Sequence, residues 1–146
     1  MKKKLVATLL TAAMVCSMGA VSAVSVAAEE ADTLTIGFSQ VGAESDWRTA
    51  NTESMKTTFS EENGYELIFD DAQQKQENQV TAIRNFIQQE VDYILLAPVT
   101  ETGWDTVLQE AKDAGIPVII VDRMVDVSDD SLYTSWIGTD ALLEGR

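Results

Sequence analysis

Hydrophobic and polar residues occur in blocks along this chain, and the blocks differ in period. Four short apolar runs typical of buried strands are separated by longer stretches with the period of amphipathic helices. The predicted strands cover residues 34–38, 65–69, 93–96 and 117–121, and the predicted helices cover residues 47–63, 76–89 and 102–114. Strict alternation of strand and helix predicts an α/β fold with a parallel sheet built from right-handed βαβ units.

The apolar positions of the predicted helices also indicate which face of each helix is buried. Glycine or proline follows several elements, as expected where a helix or strand ends. The residues predicted to point inward are Val80, Ile83, Phe86 and Ile87 in the second helix and Trp104, Val107, Leu108 and Ala111 in the third. A fifth strand is predicted over residues 132–137, after an acidic turn.

Residues 1–28 have the composition of a secretory signal peptide. Three lysines at positions 2–4 precede an uncharged apolar stretch, and small residues lead to Ala28 and the pair Glu29-Glu30. This order predicts export with cleavage after Ala28. A membrane anchor is the alternative, but the apolar stretch is only marginally long enough to cross a bilayer. We therefore expect a protein of the periplasm or of the extracellular face of the cytoplasmic membrane.

Charge and residue usage narrow the classes of function. The 146-residue chain has 10 basic and 24 acidic residues, and loss of the three N-terminal lysines would take its formal net charge from −14 to −17. Such a surface repels nucleic acid, so we expect no nucleic-acid partner. Cys16 is the only cysteine and histidine is absent, which excludes histidine-based triads and the usual zinc sites from a mature chain.

The loop after the first predicted strand combines acceptors, a donor and a flat aromatic surface. It contains Glu44, Ser45, Asp46, Trp47 and Arg48. In open α/β folds, ligands bind beyond the carboxyl ends of the strands, where this loop lies. A sugar needs both an aromatic face for its C–H surface and polar groups for its hydroxyls. The alternative is that the tryptophan anchors the core and the arginine pairs with a helix carboxylate.

Asp122 and Arg123 follow the fourth predicted strand and therefore lie at the same edge of the sheet. A carboxylate and a guanidinium side by side can accept from and donate to the hydroxyls of a polyol. The alternative is a structural ion pair that supports the loop. Of the other two tryptophans, Trp104 is predicted to lie in the core, whereas the pattern does not place Trp136.

Other chemistries have weaker support in the sequence. Residues 37–42 have neither the spacing of a dinucleotide-binding loop nor a Walker lysine. A hydrolase with two catalytic carboxylates is formally possible, but no pair of carboxylates stands out. Asp70 and Asp71 lack the spacing of an EF-hand, so we expect no metal site and no cofactor. We interpret the chain as a binding protein and not as an enzyme.

Several longer motifs identify a family that the chain resembles. They are Thr-Ile-Gly-Phe-Ser-Gln-Val-Gly at 35–42, Glu-Ser-x-Trp-Arg at 44–48, Asp-Ala-Gln-Gln-Lys-Gln-Glu-Asn-Gln at 71–79, Ala-Pro-Val-x-x-Thr-Gly-Trp at 97–104 and Val-Asp-Arg at 121–123. Together they resemble the ribose/galactose-type periplasmic sugar-binding proteins of ABC importers, and the resemblance extends from residue 34 to residue 146.

The resemblance implies a type I periplasmic binding protein fold, in which two lobes close over one monosaccharide. Residues 29–139 would form an incomplete N-terminal lobe, residues 136–140 the first hinge crossing, and residues 140–146 the start of a truncated second lobe. A full-length protein would be a monomer that hands a galactofuranose-like or related sugar to the membrane subunits of an ABC permease. Because closure needs both lobes, we expect the isolated chain to bind sugar weakly or not at all.

The resemblance also implies roles for individual residues. Glu44, Ser45, Asp46, Trp47 and Arg48 would contact the sugar from the first loop, while Asp122 and Arg123 would hold ring hydroxyls from the fourth strand. Two other functions remain as alternatives. A sugar-sensing partner of a chemoreceptor or sensor kinase is the main alternative, and a secreted carbohydrate enzyme is a weaker one. A repressor is disfavoured because a signal peptide stands where its DNA-binding helices would be.

Overall fold

The computed structural model describes residues 33–139, in which five strands and three α-helices follow one another. The predicted signal peptide and the predicted start of a second lobe lie outside the described residues. The strands are β1 (Leu34–Gln40), β2 (Tyr65–Asp71), β3 (Tyr93–Leu96), β4 (Val118–Val121) and β5 (Ser135–Ile137). The helices are α1 (Asp46–Thr58), α2 (Gln76–Gln88) and α3 (Asp105–Asp113), with short 3₁₀ turns at Glu61–Asn63 and Asp130–Leu132.

All five strands are parallel and lie in the order β2-β1-β3-β4-β5. The predicted α/β fold with a parallel sheet is therefore confirmed. Because the strands run the same way, the loops that follow them meet at one edge of the sheet, here called the rim. Within residues 33–139, no helix is long and apolar enough to cross a membrane.

One face of the sheet is covered by α2 and α3, and it forms the larger part of the core. Ile83 and Phe86 of α2 and Leu108 of α3 pack there against Ile94 and Ile120 of the sheet. Burial of each such side chain contributes about 1.5–3 kcal/mol. The predicted inward positions are confirmed for three residues of α3, for Trp104 just before it and for two residues of α2, while Val80 and Ile87 are half-buried at the margin.

The other face is packed less completely. Phe38 and Leu95 are buried there, and the half-buried Met55 and Phe59, which lie in and just after α1, pack against them. Tyr93, at the start of β3, keeps more than a third of its surface exposed. The sheet is thus well covered on the α2–α3 side and partly open on the α1 side.

The first predicted helix was too long at its carboxyl end. Helix α1 ends at Thr58 and not at residue 63. The side-chain amide of Asn63 donates to the carbonyls of Thr57 and Thr58, at 3.1 and 3.0 Å, and so satisfies groups that a longer helix would have used. β-branched threonines also favour helix less than the preceding residues do. Residues 61–63 instead form a 3₁₀ turn.

Other boundaries differ from the predicted ones, because strand pairing and turns make the elements longer or shorter than the apolar pattern. Strands β1 and β2 continue to Gln40 and Asp71, since parallel hydrogen bonding holds their polar ends in register. Helix α3 begins at Asp105 and not at residue 102, because Gly103 has a φ of +89° and interrupts the helical backbone. Strand β5 begins only at Ser135, because the turn before it is capped by Asp129 and contains Leu132.

The contact between β1 and α2 requires a glycine and can be tested. A Cβ at position 37 would lie 2.6 Å from Cγ of Phe86. We expect Gly37→Ala to lower the free energy of unfolding by about 1–3 kcal/mol through overpacking. The measurement is urea unfolding, and Phe86→Ala is the matched background because it removes Cγ and the two Cδ atoms that the added Cβ would approach. An equal cost of Gly37→Ala in both backgrounds would contradict this packing.

Candidate functional site

The first loop of the rim is shaped by the start of α1. Ser45 has extended backbone angles, and its Oγ accepts a hydrogen bond of 3.2 Å from the backbone N–H of Arg48. This is the geometry of a helix N-cap. Asp46 is exposed in the first turn, where a negative charge is favoured by the helix dipole. The cap brings Trp47 and Arg48, the next two residues of the helix, to the rim.

Arg48 is the centre of the site, and only 4% of its surface is exposed. Its Nε donates to Oε1 of Glu44 at 3.2 Å, its Nη1 to Oε1 of Gln40 at 3.4 Å, and its Nη2 to Oδ2 of Asp122 at 2.5 Å. A buried charge is tolerated only when such partners surround it. The guanidinium therefore joins the end of β1, the first loop and the end of β4.

Trp47 lies on the surface beside this network. The side chain is 53% exposed, and the guanidinium carbon of Arg48 is 4.8 Å from the centre of its rings. That distance is typical of a cation–π contact. The alternative interpretation, in which this tryptophan anchors the core, is therefore wrong. One part of the indole contacts the cation, and more than half of the residue remains accessible.

The structure separates Asp122 from its neighbour Arg123. Asp122 forms its ion pair with Arg48, and the arginine next to it is exposed, with Nη1 placed 3.4 Å from the carbonyl oxygen of Val99. The sequence left open the alternative of a structural ion pair between Asp122 and Arg123. No such pair is present within residues 33–139. Both residues nevertheless lie on the rim, as the sequence predicted.

The seven residues singled out in the sequence thus fall into three groups. Glu44, Arg48 and Asp122 form one hydrogen-bonded network, and Trp47 contacts it through its rings. Ser45 caps the helix, while Asp46 and Arg123 lie exposed around the network. Within the described part of the chain, no cluster of three or more acidic side chains has the arrangement of a metal site.

Gln40 is a residue of the site to which the sequence gave no role. Its side chain is fully buried at the end of β1. Its Nε2 donates to Oδ1 of Asn51 at 2.8 Å and to Oγ1 of Thr52 at 3.3 Å, while its Oε1 also accepts from the N–H of Val41. All of its hydrogen-bonding groups are engaged, so it fixes the position of the Arg48 guanidinium. Its only sequence signal is a polar residue that ends an apolar strand.

Gln79 supports the rim from the opposite side of the sheet. It is fully buried in α2, where Nε2 donates to the carbonyl of Ala97 at 2.7 Å and Oε1 accepts from the N–H of Val99 at 2.8 Å. These bonds satisfy backbone groups of the loop after β3, which a buried loop cannot leave unpaired. The loop that contacts Arg123 is therefore anchored to the core.

Asp70 lies near the end of β2, beside this rim. Burial raises the pKa of its carboxyl above the ordinary value of 3.8; a hydrogen bond from Ser39 opposes the shift, and repulsion from Asp71 adds to it. A raised pKa in the folded chain means that folding favours the protonated carboxyl. Its contribution to stability is therefore complete below about pH 3.8 and is lost as the pH rises through the raised pKa.

Asp70→Asn tests this electrostatic cost. We expect the variant to have a higher free energy of unfolding than the parent at pH 7, because the amide is neutral. The difference should shrink as the pH falls toward 3.8. Glu66→Gln is the matched control, since it removes one exposed carboxylate from the same strand. Urea unfolding between pH 3 and 8 measures both. A lower stability of Asp70→Asn at pH 7 would contradict the assignment.

Comparison with known proteins places this chain in a family. Residues 36–146 match the periplasmic binding protein domain family. The galactofuranose-binding protein YtfQ of Escherichia coli is 53% identical over 129 residues, which cover 86% of this chain and 40% of that protein. The chain thus spans about two-fifths of the length of this relative.

Two solved structures show the same architecture. A protein of Mycobacterium smegmatis in complex with β-D-fucofuranose is 60% identical, with a TM-score of 0.73 over 77% of this chain and 37% of that one. The periplasmic binding protein of the arabinose ABC transporter of Shewanella sp. ANA-3, bound to α- and β-L-arabinofuranose, is 57% identical, with the same TM-score and the same coverage. By their descriptions these relatives bind sugars, and the Shewanella protein is the binding component of an ABC transporter. The chain belongs to the periplasmic binding protein family.

Proposed function

We propose that this chain forms part of an extracytoplasmic sugar-binding protein that binds a monosaccharide, in its furanose form, for an ABC importer. The observation that carries the proposal is the Arg48 guanidinium, held between two carboxylates next to an exposed indole. This arrangement offers donors, acceptors and an apolar face within one small area of the rim.

The hydrogen-bonding capacity of the network suits a polyol. A guanidinium has five N–H groups, and three of those of Arg48 are engaged by Glu44, Gln40 and Asp122. The other two are not engaged within residues 33–139, and we assign them to sugar oxygens at the 4% of the residue that remains exposed. The two carboxylates keep further lone pairs with which they can accept from hydroxyls. Each sugar hydroxyl both donates and accepts, so it can bridge the cation and a carboxylate.

The indole of Trp47 supplies the remaining part of a sugar site. The C–H surface of a sugar ring packs well on an aromatic face, and the accessible part of this side chain adjoins the polar network. The contact with the guanidinium keeps the indole beside the hydrogen-bonding groups. We assign Trp47 the stacking role and Arg48 the orienting role.

The remaining predicted residues receive smaller roles. The Oγ of Ser45 accepts from the backbone, which leaves its hydroxyl proton free to donate to a sugar oxygen. Asp46 offers an exposed carboxylate, and Arg123 reaches the rim above the loop after β3. These three residues would border the sugar, whereas the network would bind it directly.

The names of the relatives favour a five-membered sugar ring. They bind, by their descriptions, galactofuranose, β-D-fucofuranose and L-arabinofuranose. Since these proteins are 53–60% identical to this chain, a furanose is the ligand class that we propose here. A sensing role with a chemoreceptor or kinase is the alternative, but the descriptions of these relatives favour transport.

The proposal includes the setting of the protein. Residues 1–28 would direct export and be removed, and residues 29–139 would form the N-terminal lobe. The sugar-loaded protein would then dock as a monomer on the permease subunits of the importer, with no catalysis and no cofactor. Because the chain covers about 40% of the length of its relative, the remaining sugar contacts would come from a second lobe. We therefore expect the isolated chain to bind sugar weakly or not at all.

A chimera tests the binding function directly. Residues 33–139 would replace the matching segment of the E. coli galactofuranose-binding protein, which supplies a second lobe. Titration calorimetry with D-galactose, L-arabinose, D-fructose and D-glucose would measure affinity, since the first three populate furanose forms more than glucose does. We expect Trp47→Ala to weaken binding by about tenfold, the value of a lost aromatic stack.

Trp47→Phe is the matched control, because it keeps a flat aromatic face and should lose less affinity than the alanine variant. Arg48→Lys should weaken binding more than either, since an ammonium cannot engage three acceptors in a plane. Unchanged affinity in Trp47→Ala and Arg48→Lys would contradict the site. Binding of no sugar by the unmodified chimera would contradict the function.

A further inference from the structure

Strand β5 forms hydrogen bonds with both the backbone N–H and the backbone carbonyl of Asp122. The backbone N–H of Asp122 donates to the carbonyl of Ile137 at 2.8 Å, in continuation of the β4–β5 pairing. Its carbonyl oxygen accepts a hydrogen bond of 3.0 Å from Nε1 of Trp136. The residue that pairs with Arg48 is thus fixed on both sides by a strand that contains none of the other network residues.

This support matters because the backbone of Asp122 is in a rarely occupied conformation. Its φ is +69°, in the left-handed region that residues other than glycine seldom adopt. Aspartate tolerates this region better than most residues, but at a cost that the surroundings must offset. In this conformation its Oδ2 accepts from Nη2 of Arg48 at 2.5 Å. Asp122 therefore makes its ion pair with Arg48 from this left-handed conformation.

Gly138 completes the support. A Cβ at this position would lie 2.4 Å from the carbonyl oxygen of Asp122 and 2.5 Å from the ring of Trp136. Backbone carbonyl and aromatic ring cannot both move away without breaking the hydrogen bond between them. Only glycine lets the chain after β5 pass this close. The backbone of Gly138 therefore lies directly against both the indole of Trp136 and the carbonyl of Asp122.

We propose that Trp136 is a positioning residue of the sugar site, which acts on the sugar through Asp122 and not by contact. The indole N–H fixes the carbonyl of Asp122, and this holds the carboxylate against the guanidinium of Arg48. The inference rests on the proposed function for its effect on sugar binding. The positioning itself concerns the chain alone and can be measured without a sugar.

Two variants of different chemistry test the positioning. Trp136→Phe keeps an aromatic ring but removes the N–H, whereas Gly138→Ala keeps the indole N–H but adds a methyl group that would displace the ring or the carbonyl of Asp122. In the chimera, each should weaken sugar binding by about three- to tenfold, as expected for one lost hydrogen bond. Trp104→Phe is the matched control, since it removes an indole bond of 2.9 Å to the carbonyl of Thr100 and should leave affinity within about twofold.

The background of Asp122→Asn separates positioning from contact. If Trp136 acts through the carboxylate, Trp136→Phe has little further effect on sugar affinity once Asp122→Asn has weakened the ion pair. An equal loss in both backgrounds, as from an indole that touches the sugar, would overturn the proposal. Unchanged affinity of Trp136→Phe in the parent background would overturn it as well.

A second measurement keeps this test independent of the proposed function. A double-mutant cycle in the full 146-residue chain compares the free energies of unfolding of the parent, Trp136→Phe, Arg48→Met and the double variant. We expect the double variant to be less destabilised than the sum of the singles. Additive effects would overturn the positioning role. If the chimera binds no sugar but the cycle shows coupling, the proposed function fails and the positioning role stands.

Discussion

The Arg48 guanidinium is the group on which the rim of this protein depends. An arginine that is almost fully buried must have acceptors in several directions, since an unpaired buried charge costs several kcal/mol. Here the acceptors come from the end of β1, from the first loop and from the end of β4. Each of these segments is constrained to meet the others at one point. The site is therefore the place where three parts of the chain neutralise one cation.

The parallel sheet allows these three segments to meet, and two glutamines hold the loops in place. Parallel strands deliver their following loops to one edge, where the backbone groups of those loops must find partners. Gln40 and Gln79 are both fully buried and supply such partners on the two faces of the sheet. The apolar core beneath them fixes the strands, and the glutamines fix the loops. Rigid support of this kind is what a ligand site needs, because it lowers the cost of ordering side chains on binding.

Much of the fold could be predicted from the sequence, because its period changes clearly between strands and helices. The pattern predicted Trp104 in the core, and the structure buries it completely. Boundaries were less predictable, since they depend on side chains such as Asn63 that satisfy a helix end from outside. Trp136 could not be placed, because β5 has only three residues and its pattern has no period to read.

The position of the candidate residues on the rim was predictable, but the contacts among them were not. The motifs pointed to the first loop and to the end of the fourth strand, and both lie on the rim. The pairing of Arg48 with Asp122 spans 74 positions and depends on a backbone angle that aspartate seldom adopts. Asp122 and Arg123 were predicted to bind the hydroxyls of a polyol from one strand end, and the structure adds that Asp122 pairs with Arg48 while Arg123 stays exposed. Local sequence carries no information on such long-range geometry.

The most direct measurement is a crystal structure of the chimera grown with L-arabinose, at a resolution that shows the sugar ring. We expect a furanose with an oxygen within 3.2 Å of the Arg48 guanidinium and its C–H face packed on Trp47. A sugar bound between the lobes without contact to either residue would contradict the site, and so would a guanidinium that leaves Asp122.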